Sequence, residues 1–435
     1  MTSKGHFVQG LDFPVWALAF ASEKQLIVAG GGGAGRSGVK NSVSIYSIDA
    51  KHQRCERTAE LELSKKEDAP MTVATHPGRN EIILGINSEA DLVKQGTNSN
   101  VRLLTYSNES IKQESSHATI ASRDPEEYQK ITTFSRTGSM VAVGSSKSQL
   151  TLLSVPSMER VFPDLDFSSD TMFDADFNDE GTMLLGASSQ RICIYSLPTS
   201  DAKPLSSSEP PEPTQVIERP VLKQSLKCTF RASRFGRKGT SNRLYTLVNA
   251  SPESTSGSSG KRGNRGRGYN VDKKSFVSVW DTQSWSLIKT RTVAKRPVTS
   301  FDISPNGKML AIGGADLSVS IFEAENIRPL LSVLAAHDFP STCIRFSPSS
   351  ELLVSGSADN TLRIISADQA LHPCAPLLSS LTKESILKLA KIDDTARHRT
   401  LQTILLALLA LLLSIFVQYY AGRKIVEVAR KHLHV

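Results

Sequence analysis

The stretch VTSFDISPNGKMLAIGG, Val298 to Gly314, carries a plan that the chain uses seven times. Phe301 and Ile303 alternate with Ser300, Asp302 and Ser304, the period of a half-buried strand. Pro305, Asn306 and Gly307 make the turn. Met309 to Ile312 then form a second, apolar strand that ends in small residues, and a third strand, LSVSIFE, follows from Leu317. The same plan is read at VWALAFASEKQLIVAGG from Val15, MTVATHPGRNEIILGIN from Met71 and KITTFSRTGSMVAVGSS from Lys130. It recurs at MFDADFNDEGTMLLGAS from Met172, LKCTFRASRFGRKGTSNRLYTLVN from Leu226 and STCIRFSPSSELLVSGS from Ser341. The starts fall roughly 40 to 70 residues apart, near or above the spacing of propeller blades. Seven such units close into a ring without free sheet edges. The expected fold is therefore all-β, a seven-bladed β-propeller over residues 1–370. Its last unit, ending near Asp368, shows three strands, and Lys4 to Gly10 is expected to supply the fourth and lock the ring.

The sixth and seventh units read most clearly as WD repeats, and Val279, Trp280 and Asp281 end the third strand of the fifth. His337 and Asp359 are expected to be a hydrogen-bonded pair bracing the last blade rather than catalytic groups, since buried polar groups pair for stability. Two insertions, residues 198–220 and 251–270, are rich in Ser, Pro, Gly and charge and read as disordered. The second contains KRGNRGRG from Lys261, which resembles an RNA-binding tract. One short basic run inside a loop reads as a solvated excursion, so nucleic acid is not an expected partner. The net charge of +8 is mild for 435 residues and implies no nucleic-acid surface by itself. Five scattered cysteines without a C-x-x-C pair fit reduced thiols. No Cys–His or Ser–His–Asp constellation with a supporting motif stands out, nor metal-ligand spacing, nor paired carboxylates. Covalent chemistry is not expected, and the chain does not read as an enzyme.

Ile404 to Val417, ILLALLALLLSIFV, has no charge. Residues 401–421 make about 20 residues of apolar helix, close to 30 Å and enough to cross a bilayer. Tyr419 and Tyr420 would anchor one interface. A helix apolar all round has no way to bury every face beside a β domain, so a single transmembrane helix is expected. The amino terminus lacks the apolar core of a signal peptide. That favours a cytosolic propeller, a juxtamembrane stem over 371–400 and a short lumenal tail over 422–435. Basic residues flank the span almost equally, so charge does not set the orientation.

Leu26 to Asn41, LIVAGGGGAGRSGVKN, is the most unusual stretch. GGGGAGRS, Gly30 to Ser37, nearly matches a phosphate-binding loop, and Gly30, Gly32 and Gly35 satisfy G-x-G-x-x-G. Both motifs need a helix directly after the loop. Here Val43, Ile45 and Ile48 alternate with serines, which reads as a strand. The glycines instead suggest a compact loop that side chains would obstruct.

Seven blades, one carboxy-terminal span and VAGGGGAGRSGVKN in the first blade together resemble one family. It comprises the endoplasmic-reticulum exchange factors for the Sar-type small GTPase that initiates COPII coats, the prolactin regulatory element-binding protein family. The resemblance rests on Val28 to Gly33 and Gly38 to Asn41; Ala34, Gly35, Arg36 and Ser37 depart from the family pattern. It implies a guanine nucleotide exchange factor at the endoplasmic-reticulum membrane that drives GDP release from a Sar-type GTPase and so serves ER-to-Golgi transport, meeting other COPII components indirectly. It also implies that the loop binds K+ and touches the GTPase. Asn41 would be the polar residue on which exchange depends, and Val39 the apolar residue pressed toward the nucleotide site. Gly31, Gly32, Gly33 and Gly38 would supply backbone carbonyls to the ion, and no organic cofactor is implied. Glycine-rich backbone can turn carbonyls inward, and oxygen cages suit hard cations. The alternative is a membrane-tethered WD-repeat scaffold without exchange activity.

Overall fold

The computed structural model describes residues 5–35, 38–168, 170–197, 209–221, 226–252 and 273–368. These form seven four-stranded antiparallel sheets arranged as a ring. The innermost strands are Val15–Phe20, Thr72–Thr75, Gln129–Phe134, Met172–Phe177, Leu226–Phe235, Val298–Ile303 and Ser341–Phe346. Each lies beside the innermost strands of its two neighbours, and together they line a central channel. The seven-bladed WD-type propeller is thus as expected. The expected stem 371–400, span 401–421 and tail 422–435 lie outside the described residues. Among the described residues no helix is long and apolar enough to cross a membrane.

The ring closes by pairing the two ends of the repeat. Strand His6–Gly10 runs antiparallel to Thr361–Ser366, with His6 opposite Ile365 and Gly10 opposite Thr361. Backbone bonds from Leu11 N to Asn360 O at 2.7 Å and from Ser366 N to Gly5 O at 2.8 Å extend the ladder at both ends. Blades one and seven share one core, in which buried Phe13, Val15, Leu18 and Leu26 meet Val354, Leu362 and Ile364. Gly356 permits that approach: a Cβ there would stand 2.5 Å from Val15 Cγ1.

Six of the seven blades repeat one irregularity. The register of the innermost strand against the second slips by one residue, skipping Trp16, Lys130, Phe173, Arg231, Thr299 and Thr342. A bulge bends the strand and re-aims the extra side chain, and all six residues line the channel.

Two expectations change. The segment 198–220 is not wholly irregular: Gln215–Glu218 is the outer strand of the fourth blade, pairing with Arg191 to Ile194 and burying Ile217. Its apolar signal is only two residues long, and the waiting sheet edge, not local propensity, makes it a strand. In the second insertion, Ser251 and Pro252 complete strand Arg243–Pro252, and the rest lies outside the described residues. In the last blade, His337 and Asp359 stand 3.6 Å apart and are joined through Thr361 rather than directly. His337 Nδ1 meets Thr361 Oγ1 at 2.8 Å, Thr361 Oγ1 donates to Asp359 Oδ1 at 2.6 Å, and His337 Nε2 meets Ser355 Oγ at 2.8 Å.

Removing residues 1–10 should leave strand Thr361–Ser366 with an open edge. Five cross-strand pairs at about 0.2–1 kcal/mol each set a loss of roughly 1–5 kcal/mol in urea unfolding, restored in part by a peptide of residues 5–10 added in trans. Burial holds the His337 imidazole below its ordinary 6.5. The unfolded chain then binds a proton that the folded one refuses, so stability should fall as pH drops below 6.5. Urea midpoints at pH 7.5 and 5.5 should separate less in His337→Gln than in the natural chain.

Candidate functional site

The second strand of the first blade, Gln25–Gly30, and the third, Ser42–Asp49, pair in full register from Gln25 opposite Ser47 to Gly30 opposite Ser42. The loop between them leaves the sheet at the channel end where Trp16 lies. Its first residue is pinned from both sides. Gly31 N donates to Pro14 O at 3.1 Å, and the Trp16 indole Nε1 donates to Gly31 O at 2.8 Å. Gly31 adopts φ +146°, and a Cβ there would lie 2.3 Å from Asn41 Oδ1 and 2.6 Å from Asn41 Cα. No other residue fits.

Asn41 is fully buried, at 0% exposure, and closes the loop from beneath. Its Oδ1 accepts from Gly33 N at 2.9 Å. Its Nδ2 donates to Ser64 O at 3.4 Å and Glu67 O at 3.1 Å, while its backbone O accepts from Leu63 N at 2.8 Å. One carboxamide thus ties the glycines to the crossover between blades one and two. The crossover is itself held, since Glu67 receives Arg102 at 2.7 Å and Asp68 N bonds Asn87 O at 3.3 Å. Asn41 therefore acts on the loop from inside and offers its amide to Ser64, Glu67 and Gly33 rather than to solvent.

Val39 is half-buried and packs against the cluster around Phe13 and Val15. Lys40 pairs with Glu60 at 2.7 Å and lies 3.8 Å from Asp12; Arg57 stands 3.3 Å from each of these carboxylates. The hydrogen bond to Glu60 holds the Lys40 ammonium above its ordinary pKa. The outer rim of the loop, Ala34, Gly35 and Gly38, is exposed.

Of the four glycines expected at an ion, Gly31 and Gly33 gather around Asn41 with Gly32 between them. Gly38 stands apart, with open space around a Cβ and φ +75°. Near Gly33, Asp68 Oδ1 would be 3.0 Å from an added Cβ. The oxygens here are carbonyls, one amide and one carboxylate, a donor set that suits a hard cation and not a transition metal. Among the described residues no group of three or more His, Cys, Asp or Glu could hold a metal by side chains alone. Sequence reasoning did not find Trp16, Ser64, Glu67 or Asp68 as parts of the site. Nothing local marks them, because they reach the loop through the fold. The strand Ser42–Asp49, not a helix, follows the glycines, so the phosphate-loop reading fails on structure as it did on pattern.

The WD domain, G-beta repeat model matches residues 285–323 and 328–366, each window joining an outer strand to three strands of the next blade. The guanine nucleotide-exchange factor SEC12 of Candida glabrata is 24% identical over 86% of this chain and 74% of its own. The putative guanine nucleotide-exchange factor SED4 of the same organism is 21% identical over 88% of this chain but only 34% of its own length, so the chain spans about a third of it. SEC12-like protein 2 of Arabidopsis thaliana is 22% identical over 77% of this chain and 74% of its own. Among solved structures, Chaetomium thermophilum Raptor aligns with a TM-score of 0.58 and 12% identity, covering 84% of this chain and 29% of that one, a likeness of fold alone. With seven blades and a braced glycine loop in the first, the chain folds as a WD-repeat propeller and is similar over most of its length to SEC12 and SEC12-like proteins.

Proposed function

We propose that this protein is a guanine nucleotide exchange factor for a Sar-type small GTPase, acting at the endoplasmic-reticulum membrane to initiate COPII assembly. The observation that carries this reading is a stiff, solvent-facing glycine loop in a chain similar over most of its length to proteins named as exchange factors or putative exchange factors. Such a protein breaks no covalent bond. It binds the nucleotide-free GTPase more tightly than the GDP-bound form, and by reciprocity it loosens GDP by the same factor. A thousandfold acceleration corresponds to about 4 kcal/mol at the exchange transition state.

A loop supplies that energy only if it does not yield when pressed into a partner. Asn41 is the positioning residue for this purpose, because its three side-chain bonds fix Gly33 against the crossover. Val39, seated on the Phe13–Val15 cluster, gives the opposite limb of the loop an apolar footing. A potassium ion held by the carbonyls of Gly31, Gly32 and Gly33, with Asp68 beside them, would supply positive charge that keeps those oxygens turned inward. Gly38 belongs to the rim rather than to that cage. The apolar segment 401–421 would keep the propeller at the membrane, with the tail on the lumenal side.

Fluorescence-detected GDP release from a purified Sar-type GTPase tests the reading. The natural chain should accelerate release, and Asn41→Ala should lower the acceleration by at least about tenfold, or 1.4 kcal/mol. Thermal unfolding run alongside should show a ring that is still folded. An anchored scaffold would give no acceleration at all. Replacing potassium by sodium should slow exchange by the natural chain if the ion belongs to the loop. Among the glycines, Gly31→Ala should cost more stability and more exchange than Gly38→Ala. The latter meets open space and bears only about 1–2 kcal/mol of left-handed backbone strain. Equal effects of the two would remove the Asn41–Gly31 contact from the mechanism.

A further inference from the structure

The channel carries charge that neither the fold nor the exchange reading uses. It encloses about 1070 Å³, and the seven Lys and Arg that line it outnumber its four Asp. The four carboxylates are already engaged. Asp174 receives Arg234, and Asp302 lies 3.8 Å from the same guanidinium. Asp176 takes Arg237 at 2.6 Å, and Asp179 takes Arg136 at 3.3 Å. Asp174 directly follows Phe173 in Met172–Phe177; the other groups of these pairs lie in the later half of the innermost strands or just past their ends. At the opposite end, two of the skipped residues are Lys130 and Arg231, from blades three and five. The charge of Asp174, already bonded to Arg234, reaches both, but among the described residues neither forms an ion pair with a carboxylate.

Their surroundings prepare them for a ligand. Both sit over the ring of Phe173, the skipped residue of the blade between them, with Lys130 Nζ 4.0 Å and Arg231 Cζ 5.5 Å from the ring centre. Arg231 also donates to the carbonyl of Thr299, which fixes part of its fork and leaves other N–H groups for a ligand. Burial, and after it Arg231, pushes the Lys130 ammonium down to about 8. Burial lowers Arg231 as well. Two desolvated cations that raise each other's cost are stabilised by a shared anion, and Arg and Lys together suit phosphate oxygens.

We propose that the channel mouth on the glycine-loop side binds a small phosphate-bearing anion between Lys130 and Arg231, with Phe173 as the spacer that sets their separation. The site does not depend on the exchange reading. It opens on the same end of the ring as the glycine loop, because the skipped Trp16 of the first blade bonds Gly31. Recessed among the innermost strands, it suits a soluble compound rather than a membrane surface.

Titration calorimetry of the full chain in detergent, with pyrophosphate as the probe at low chloride, tests this. Saturable binding is expected, weakened at least tenfold by Lys130→Gln and by Arg231→Gln, and untouched by Lys238→Gln at the far end of the channel. Pyrophosphate should also raise the thermal midpoint of the natural chain and of Lys238→Gln but not of the other two, a readout that holds even if those variants are less stable. Vesicles containing phosphatidic acid form a second arm: binding to vesicles that needs Lys130, without binding of pyrophosphate, would overturn the soluble ligand. Absence of saturable heat, or equal loss in Lys238→Gln, would overturn the site.

Discussion

Pairing of His6–Gly10 with Thr361–Ser366 is the constraint on which the rest of the molecule depends. The seventh blade has only three strands of its own, and the ladder to the amino-terminal strand turns an open row of sheets into a ring. The same join sets the first blade. Directly after it come Phe13 and Pro14; Phe13 fills the core shared by blades one and seven, and Pro14 holds Gly31 through its carbonyl. The glycine loop is thus positioned by the clasp that closes the fold.

From there the physics of the loop is an account of polar groups. A glycine-rich turn exposes more backbone than it can pair locally, and buried backbone groups left unpaired cost about as much as a lost hydrogen bond. Asn41 resolves this with one side chain that both accepts and donates. Its burial explains why Gly31 must be glycine: the amide occupies the place where a methyl group would go. Rigidity comes from satisfied polar atoms rather than from a large apolar core.

Much of the architecture is written locally and could be read there. Alternation of Phe301 and Ile303, the turn at Asn306 and Gly307, and their six repetitions give seven blades, and the amino-terminal strand follows from a blade one strand short. The glycine run announces a loop with special geometry. What stays hidden depends on distant contacts. Gln215–Glu218 pairs because an edge is waiting for it. Thr361 comes between His337 and Asp359 because a hydroxyl of the right reach lies there. Asn41 turns inward because Ser64 and Glu67, more than twenty residues on, present carbonyls beneath it. Gly31, Gly33 and Gly38 look equivalent in sequence, yet only the first two close around the amide.

Trp16 stands where the channel and the glycine loop meet. The protein has three tryptophans, and the other two, Trp280 and Trp285, pack against the cluster shared by the fourth and fifth blades. An indole whose N–H is held by Gly31 and whose side chain lines the channel emits light according to both surroundings. The molecule therefore contains an intrinsic optical gauge at its most informative joint, and displacement of the loop or filling of the cavity alters the colour of its fluorescence without any attached dye.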